Sequence, residues 1–213
     1  MTLPRLAFDP AVGFPGLVEF PGLVEFPRLT ELRLAELWLE IGFGGGEHAL
    51  AQAVAHPRAG LIACEVFENG ICSLLSRLVP EGGEADAALP DNLRVWTQDA
   101  RILLRLLPDA CLDRLFLMFP DPWPKARHAK RRLVHPEQIG ELARLLKPGA
   151  EWRVASDDPT YQDWVTQVMA RQDWFDAAAP VAERPAGWPP TRYEAKALRA
   201  GRQPLYWRFV RRG

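Results

Sequence analysis

Segments with the pattern of buried strands alternate with segments of helical pattern along most of this chain, and this alternation restricts the fold more than any other feature. Each apolar run of strand length is followed by a longer segment with helix start and stop signals. Strand–helix repeats of this kind build a mainly parallel sheet with helices on both faces. We predict an α/β fold with seven strands, over residues 37–41, 61–65, 93–97, 112–119, 151–155, 174–176 and 205–210.

Helices are predicted between these strands, and the last strand is predicted to differ in direction. Apolar and polar residues alternate from Leu205 to Val210, which favours an antiparallel strand at this end of the sheet. The segment from Pro80 to Asp91 is rich in glycine, alanine and acids and is predicted to be a surface loop. The predicted helices cover residues 47–55, 67–78, 98–107, 136–146 and 159–170.

The first 34 residues are predicted to be an extension outside this domain. The sequence Phe14-Pro-Gly-Leu-Val-Glu19 recurs as Phe20-Pro-Gly-Leu-Val-Glu25, and Phe26-Pro27 begins a third copy. A six-residue unit in so few copies is too short to build a solenoid. We therefore predict two parts, a turn-rich extension over residues 1–34 and a single domain over residues 35–213.

Composition excludes several classes of protein. No apolar run approaches membrane-spanning length, and the chain does not begin with a cationic segment followed by an apolar core. The three cysteines form no CxxC pair and the four histidines follow no metal-site pattern. These features predict a cytoplasmic protein without a structural metal.

Charge is close to balanced overall but unevenly distributed. The formal net charge is -1, which argues against a general polycation. Residues 125–132 carry five cations and no acid, and residues 192–213 carry seven cations against Glu194 alone. Such a cationic face attracts phosphate backbones. The cations of the first run that we predict to contact a phosphate backbone, besides Lys125, are Arg127, Lys130, Arg131 and Arg132.

Glycines follow the first predicted strand, at Gly42 and from Gly44 to Gly46. Glycine there permits a tight turn and close approach of the backbone to a ligand. The dinucleotide pattern G-x-G-x-x-G is not met, because Glu47 stands in place of its last glycine. Glu40 precedes the glycines and would face the pyrophosphate of NAD unfavourably. A ligand with an amino or sulfonium cation suits it, and S-adenosylmethionine (SAM) has both and no phosphate.

Two further acids follow the next two strands. Glu65 ends the second strand, where a carboxylate can accept hydrogen bonds from both ribose hydroxyls. Asp99 follows the third strand and can accept from an adenine amino group, with Ala100 leaving room beside the ring. A strand-end acid is often only a helix N-cap, and NAD or another nucleotide is the alternative ligand. The three acids in succession favour SAM.

The stretch from Phe116 to Lys125 is predicted to carry the chemistry. The fourth strand stops at three prolines, Pro120, Pro122 and Pro124. This stop presents Asp121 and Trp123 on a stiff turn, directly before the cationic run. Ligands of open α/β sheets bind beyond the carboxyl ends of the strands, so the turn suits a flat, polar, anionic substrate. The alternative is a proline-rich loop with a solvated charge run.

Four strings of the sequence resemble the bacterial tRNA (guanine-N7-)-methyltransferases, in the same order and spacing. They are LEIGFGGG over 39–46, FPDPWPKARH over 119–128 with KRR over 130–132, ASDDPTY over 155–161 and TRYE over 191–194. The second string is far more specific than the glycine loop. The similarity runs from about Leu37 to the carboxyl terminus and leaves the N-terminal repeat out.

The resemblance implies a Rossmann-like class I SAM-dependent methyltransferase that modifies N7 of a variable-loop guanosine in tRNA, without a membrane or a required protein partner. Carried over by motif, the SAM side would be lined by Glu40, Gly42, Gly44, Glu65, Asp99, Ala100 and Asp121. The substrate would be contacted by Lys125, Asp157, Thr191, Arg192, Tyr193 and Glu194. For Asp157 and Glu194, pairing with local arginines is the alternative.

Asp121 is the predicted catalytic residue, as a positioning acceptor for guanine N1–H and the amino group or as a counter-charge for the cationic product, rather than as a base. Guanine N7 keeps an in-plane lone pair at neutral pH and needs no proton removed before it attacks a methyl group. Enzymes that methylate exocyclic amines usually offer an Asn/Asp-Pro-Pro-aromatic turn, whereas Asp121-Pro122-Trp123 stands here. The alternatives are a SAM-dependent methyltransferase of another RNA base or of a small molecule, and an inactive tRNA-binding module.

Overall fold

The computed structural model describes residues 34–79 and 89–213. Seven strands and six α-helices lie in these ranges, together with one 3-10 helix at Ala126–Arg131. The strands are β1 Glu36–Ile41, β2 Ala59–Cys64, β3 Leu93–Trp96, β4 Leu112–Met118, β5 Leu146–Ser156, β6 Phe175–Ala177 and β7 Leu205–Arg211. The helices are α1 Glu47–Ala55, α2 Glu68–Leu78, α3 Ala100–Leu106, α4 Pro136–Leu145, α5 Pro159–Met169 and α6 Arg192–Arg199.

The strands form one mixed sheet in the order β3-β2-β1-β4-β5-β7-β6. Strand β7 pairs antiparallel with β5 and with β6. The predicted α/β fold, with a mostly parallel sheet and an antiparallel last strand, is therefore confirmed. The N-terminal repeat and residues 80–88 of the predicted loop lie outside the described residues. The described helices include none that is both long and apolar enough to cross a membrane.

The chain divides into two compact units, residues 1–108 and 109–213. In the described part of the first unit, β1 pairs in parallel with β2, and β2 with β3. Every residue of β2 is buried, as expected for a parallel strand covered on both faces. Leu39, Ile62 and Leu93 are fully buried and form the centre of this unit's core, so the strand ends and the loops after them have a rigid base.

The second unit has an aromatic core. Trp152 on β5 lies 5.6 Å from Phe175 and 5.5 Å from Phe209, measured between ring centroids. Phe116 on β4 is also fully buried, and β4 pairs in parallel with β5. Strands β4 and β5 therefore hold a fixed position for the proline turn that follows β4.

Three elements of the second unit differ from prediction. Strand β5 begins at Leu146 rather than at residue 151, and its pairing with β4 changes register between Leu112 and Arg114, so Pro148 lies in an irregular part of the ladder. The 3-10 helix lies in the cationic run and was not predicted, because this run has no apolar periodicity. Helix α6 also lacks an apolar stripe, since its buried residues are Glu194 and Ala197.

Candidate active site

The glycine turn of the first unit needs glycine for its backbone conformation. Gly42, Gly44 and Gly46 have φ angles of 75°, 58° and 80°, in the left-handed region that side chains disfavour. A Cβ at Gly46 would lie 2.6 Å from a side-chain carbon of Leu74. The turn therefore needs glycine for its left-handed backbone and, at Gly46, for its close packing against α2, while its approach to a ligand stays a prediction.

A fifth glycine, missed by the sequence analysis, packs on this turn. Gly70 lies in the first turn of α2, and a Cβ there would stand 2.4 Å from the carbonyl oxygen of Gly44. A glycine inside an otherwise helical pattern was the available signal. Gly70 thus lets α2 approach the backbone of the glycine turn directly.

Glu65 connects the glycine turn to the end of β2. It is 7% exposed, and its carboxylate accepts hydrogen bonds from the backbone N–H groups of Gly44 at 2.8 Å, Val66 at 2.8 Å and Phe67 at 3.1 Å. A carboxylate offers about four lone-pair positions, so three of them are engaged by the backbone. Glu65 therefore shapes the loop, and its contact with a ribose stays a prediction.

Glu40 is buried in a polar chain that continues into α1. It is 1% exposed, and its Oε2 lies 2.8 Å from Nδ1 of His48. The other ring nitrogen of His48 lies 3.3 Å from the side-chain nitrogen of Gln52, one helical turn further on. Both contacts of His48 are hydrogen bonds when Nδ1 donates to Glu40 and Nε2 accepts from Gln52. Polar residues on the buried face of a helix were the sequence signal for His48 and Gln52.

The carboxylates of Glu40 and Glu65 both raise the pKa of the buried Cys64 thiol. Burial is the main reason that the pKa of Cys64 is raised well above its usual value, and the negative charges of Glu40 and Glu65 raise it further. Cys64 is the last residue of β2 and pairs with Ile41 of β1. Because Ile41 follows Glu40 and Glu65 follows Cys64, the two acids lie at the carboxyl ends of neighbouring strands, as predicted from their places in the sequence.

Asp99 is the N-cap of α3. Its side chain is 55% exposed and accepts a hydrogen bond from the backbone N–H of Arg101 at 2.9 Å. The N-cap alternative is thus confirmed, while the contact of Asp99 with an adenine amino group stays a prediction. Ala100 is the first residue of α3 and is partly exposed.

In the second unit, the proline turn follows β4 as predicted and has an unusual backbone. Phe119 and Trp123 have φ angles of 53° and 43°, which are uncommon for aromatic residues. The N–H of Phe119 donates to the carbonyl of Ala155 at 2.8 Å, so the start of the turn is tied to β5. Asp121 lies between the two left-handed residues, with its side chain exposed.

The predicted RNA-backbone cations fall into two groups. Arg127, Lys130 and Arg131 are exposed, and the guanidinium of Arg131 lies 4.5 Å from the ring centroid of Trp123. Arg132 is 5% exposed, and its guanidinium donates to two carbonyl oxygens of the proline turn. The structure therefore gives Arg132 a place in the protein interior, unlike the other three.

The two acids predicted to contact the substrate both pair with arginines. Asp157 accepts a hydrogen bond from Nε of Arg202 at 2.6 Å. One oxygen of Glu194 accepts from Nε of Arg184 at 3.0 Å and from the hydroxyl of Tyr206 at 2.8 Å. Pairing with local arginines is thus confirmed, and contact with a guanine edge stays a prediction.

Glu194 also has an unpaired oxygen. Within the described residues, its Oε2 is buried without a hydrogen-bond partner. Burial raises the pKa of the Tyr206 hydroxyl, and the hydrogen bond to Glu194 raises it further, so Tyr206 is a proton donor to this carboxylate. A buried carboxylate oxygen without a donor is unfavourable unless a ligand or water supplies one.

The rest of the predicted substrate segment begins α6. The hydroxyl of Thr191 accepts from the N–H of Glu194 at 3.0 Å and caps the helix. Arg192 and Tyr193 are exposed, with the guanidinium 5.0 Å from the ring centroid. Lys125 is also exposed, directly before the 3-10 helix.

A groove elsewhere in the second unit contains none of the predicted site residues. It has a volume of about 720 Å³ and is lined mainly by α4, α5 and the end of β7, with Trp164 and Trp174 among its side chains. Among the described residues there is also no cluster of His, Cys, Asp or Glu side chains suited to a metal ion. The predicted site residues of the first unit and those of the second unit therefore all lie outside this groove.

Comparison with known proteins agrees with these features. Residues 35–206 match the model of a family described as "Putative methyltransferase". The chain is 73% identical over 180 residues to a tRNA (guanine-N(7)-)-methyltransferase of Granulibacter bethesdensis, covering 84% of this chain and 79% of that protein. It is 52% identical over 181 residues to the protein of the same name from Rhodospirillum rubrum, covering 83% and 68%.

A solved structure extends the comparison to the fold. The 16S rRNA methyltransferase KamB superposes with a TM-score of 0.59 at 18% identity, covering 90% of this chain and 96% of that one. At this identity the likeness concerns the fold alone. Because each sequence match covers most of this chain and most of the relative at high identity, the chain belongs to the tRNA (guanine-N(7)-)-methyltransferase family.

Proposed function

We propose that this protein transfers the methyl group of SAM to N7 of a guanosine in the variable loop of tRNA, forming 7-methylguanosine. One observation carries the proposal above the others. Asp121 is exposed on a proline turn at the end of β4, in a chain that is 73% identical to a protein named for this reaction. A protein that modifies tRNA in this way is expected to act in the cytoplasm.

The first unit fits SAM by its shape and charge. Glu40 and Glu65 are both acidic and suit a ligand with cations and hydroxyls better than a phosphate. A Cβ at Gly42 would meet no atom within 4 Å, so there is open space beside the turn. Val66 and Phe67, which follow Glu65, are 55% and 64% exposed and offer an apolar surface. The residues proposed to hold SAM are Glu40, Gly42, Gly44, Glu65, Asp99 and Ala100.

The reaction requires orientation rather than proton removal. SAM supplies an electrophilic methyl group on its sulfonium, and guanine N7 already has its lone pair free. Orientation of this kind contributes up to about 7–11 kcal/mol to catalysis. We propose that Asp121 accepts hydrogen bonds from guanine N1–H and the exocyclic amino group, and that Asp157 and Glu194 complete the acceptors on the substrate side.

Reaching N7 requires a local opening of the tRNA. The variable-loop guanosine is engaged in tertiary contacts, and extruding a nucleotide costs a few kcal/mol. We propose that phosphate contacts from Lys125, Arg127, Lys130 and Arg131 help to offset this penalty, because all four are exposed. Tyr193 and Arg192 are exposed at the start of α6 and are proposed to contact the same substrate.

The chemical identity of the acceptor atom can be tested with a modified substrate. Unmodified tRNA transcripts, made with guanosine or with 7-deazaguanosine, are incubated with protein and methyl-labelled SAM. We expect incorporation into the first and none into the second, because 7-deazaguanosine has carbon in place of N7. Equal incorporation into both transcripts would rule out N7 as the acceptor and would favour a methyltransferase of another position.

Binding of tRNA is predicted to depend steeply on salt. Each phosphate neutralised by a cation adds about 0.9 to the magnitude of the log–log slope for duplex nucleic acid, so four exposed cations predict a slope between about −3 and −4. The measurement is the Kd of unmodified tRNA at several salt concentrations. A slope near zero would contradict the assignment of Lys125, Arg127, Lys130 and Arg131 to the RNA backbone.

A further inference from the structure

Arg132 differs from the other members of the cationic run by its burial. It is 5% exposed, whereas Lys125, Arg127, Lys130 and Arg131 are exposed. An ionised side chain is costly to bury unless hydrogen bonds or an opposite charge compensate it. A cation that only binds phosphate can stay at the surface and need not be buried. The hydrogen-bond partners of Arg132 inside the protein therefore indicate its role.

Two of these partners are carbonyl oxygens of the proline turn. Nε of Arg132 donates to the carbonyl of Pro122 at 3.0 Å, and Nη2 donates to the carbonyl of Trp123 at 2.9 Å. These carbonyls belong to the two residues that directly follow Asp121. A planar guanidinium can bond to two acceptors at once in fixed geometry, which a lysine ammonium on a flexible stem does not reproduce.

The face of the guanidinium rests on an aromatic ring of α5. Its central carbon lies 4.6 Å from the ring centroid of Trp164, a distance typical of a cation–π contact. The indole N–H of Trp164 in turn donates to the carbonyl of Val134. Arg132 thus stacks on α5 through its guanidinium face and donates hydrogen bonds to the proline turn through its guanidinium edge.

The turn has a backbone that needs external support. Trp123 and Phe119 have φ angles of 43° and 53°, on either side of Asp121. Residues in such sparsely populated conformations persist only where the surrounding structure holds them, and they concentrate at functional sites. One of the two hydrogen bonds that Arg132 donates to the turn goes to the carbonyl of Trp123 itself.

We infer that Arg132 is a positioning residue that fixes the backbone after Asp121, and that it does not contact the RNA backbone. This inference rests on the proposed function, since it assigns to Arg132 the placement of the carboxylate that orients guanine. Arg132 acts through the turn and touches neither substrate nor SAM. A misplacement of about 1 Å in an oriented reaction lowers the rate by about 100-fold.

Arg132→Lys and Arg132→Gln separate the two roles. A phosphate contact would survive in Arg132→Lys, because the positive charge remains. A positioning role would not, because one ammonium cannot replace the two-pronged contact. We expect kcat to fall at least 10-fold in Arg132→Lys and about 100-fold in Arg132→Gln. The Kd for tRNA of both variants should stay within about twofold of that of the parent protein, and their salt slopes should equal the slope of the parent protein.

The matched control is Lys130→Gln, an exposed cation two residues away. Its expected pattern is the reverse, with a weaker Kd for tRNA and a salt slope reduced by about 1. Thermal unfolding of each variant establishes that it is folded. If Arg132→Gln does not fold, Arg132→Lys still tests the positioning role, because it keeps the charge and most of the volume.

The outcomes are distinct. A kcat for Arg132→Lys equal to that of the parent protein, or a salt slope for Arg132→Gln reduced as in Lys130→Gln, would overturn the positioning role. A parent protein that transfers no methyl group to tRNA would overturn the proposed function itself, and this inference with it. An active parent protein with slow variants that bind tRNA normally supports both.

Discussion

Replacing Asp121 with asparagine is expected to lower kcat for methyl transfer to tRNA by about 100-fold or more, a barrier increase of about 2.7 kcal/mol. The carboxylate of Asp121 can accept from both guanine N1–H and the exocyclic amino group. Asparagine has one acceptor and presents an amide N–H₂ to the second donor, so two donors face each other. Loss of a charge-assisted hydrogen bond and of guanine orientation both slow the reaction.

The same substitution is expected to leave the Kd for SAM within about twofold, because the other six residues assigned to SAM all lie in the first unit. Asn and Asp have nearly the same shape, and the turn around Asp121 is held by backbone contacts of Phe119, Pro122 and Trp123 rather than by its side chain. Single-turnover methyl transfer gives the rate, and calorimetric titration gives the Kd for SAM.

Asp163→Asn is the matched control for Asp121→Asn. Asp163 is exposed on α5 and has no assigned role, so its loss of charge should leave both measurements unchanged. If Asp121→Asn keeps the parent rate, Asp121 has only a structural role in the turn. If it loses SAM affinity along with the rate, Asp121 belongs to the SAM site, as the family resemblance also allows.

The second large effect is expected from Gly70→Ala. The added methyl group would stand 2.4 Å from the carbonyl oxygen of Gly44 and 3.1 Å from Cγ of Glu65. Backbone cannot give way as a flexible side chain can, so α2 and the glycine turn must separate. Overpacking of this kind costs about 1–3 kcal/mol of stability. It also displaces the Gly44 N–H from Glu65, so we expect the Kd for SAM to rise by about 10-fold or more.

Gly140→Ala adds the same methyl group as Gly70→Ala but is expected to change the stability of the protein in the opposite direction. Gly140 lies inside α4, and a Cβ there would meet only the indole nitrogen of Trp174, at 3.9 Å. Alanine should therefore stabilise the protein by about 0.5–1 kcal/mol through helix propensity. Denaturant unfolding and SAM titration of both variants test this contrast. If Gly70→Ala is as stable as Gly140→Ala and binds SAM normally, α2 does not support the glycine turn as the structure indicates.

The sequence was sufficient for the features that depend on local pattern. The alternation of strands and helices identified the sheet, and acids at successive strand ends identified Glu40 and Glu65, which converge beside Cys64. The proline turn was located because the three prolines at positions 120, 122 and 124 cannot supply the N–H groups that a central strand needs. These signals lie within a few residues of what they predict, so they need no knowledge of tertiary contacts.

Features that depend on distant partners were not predictable in the same way. Arg132 looks like its neighbours in the sequence, and its burial depends on Trp164 in α5 and on the turn before it. The pairing of Asp157 with Arg202 likewise joins residues far apart in the chain. A charged residue in a cationic run has no local property that distinguishes a phosphate contact from an internal support.

Helix α6 and the polar chain behind Glu40 were missed for a different reason. Thr191 and Glu194 have the spacing of a capping box, but without an apolar stripe the segment was not assigned as a helix. Glu194 does not return to the helix start, because Arg184 and Tyr206 hold its carboxylate. Functional sites break local rules in this manner, and both exceptions occur among the candidate site residues.

Mapping of the modified base distinguishes methyl transfer from SAM to a single guanosine N7 of tRNA from every alternative reaction. An unmodified tRNA transcript is reacted with protein and methyl-labelled SAM, digested to nucleosides and, in parallel, cleaved at 7-methylguanosine to locate the modified position. We expect the label to appear as 7-methylguanosine at one position, in the variable loop. Label on an exocyclic amine, on a ribose hydroxyl or at scattered guanosines, or no label in a protein that still binds tRNA, would contradict it.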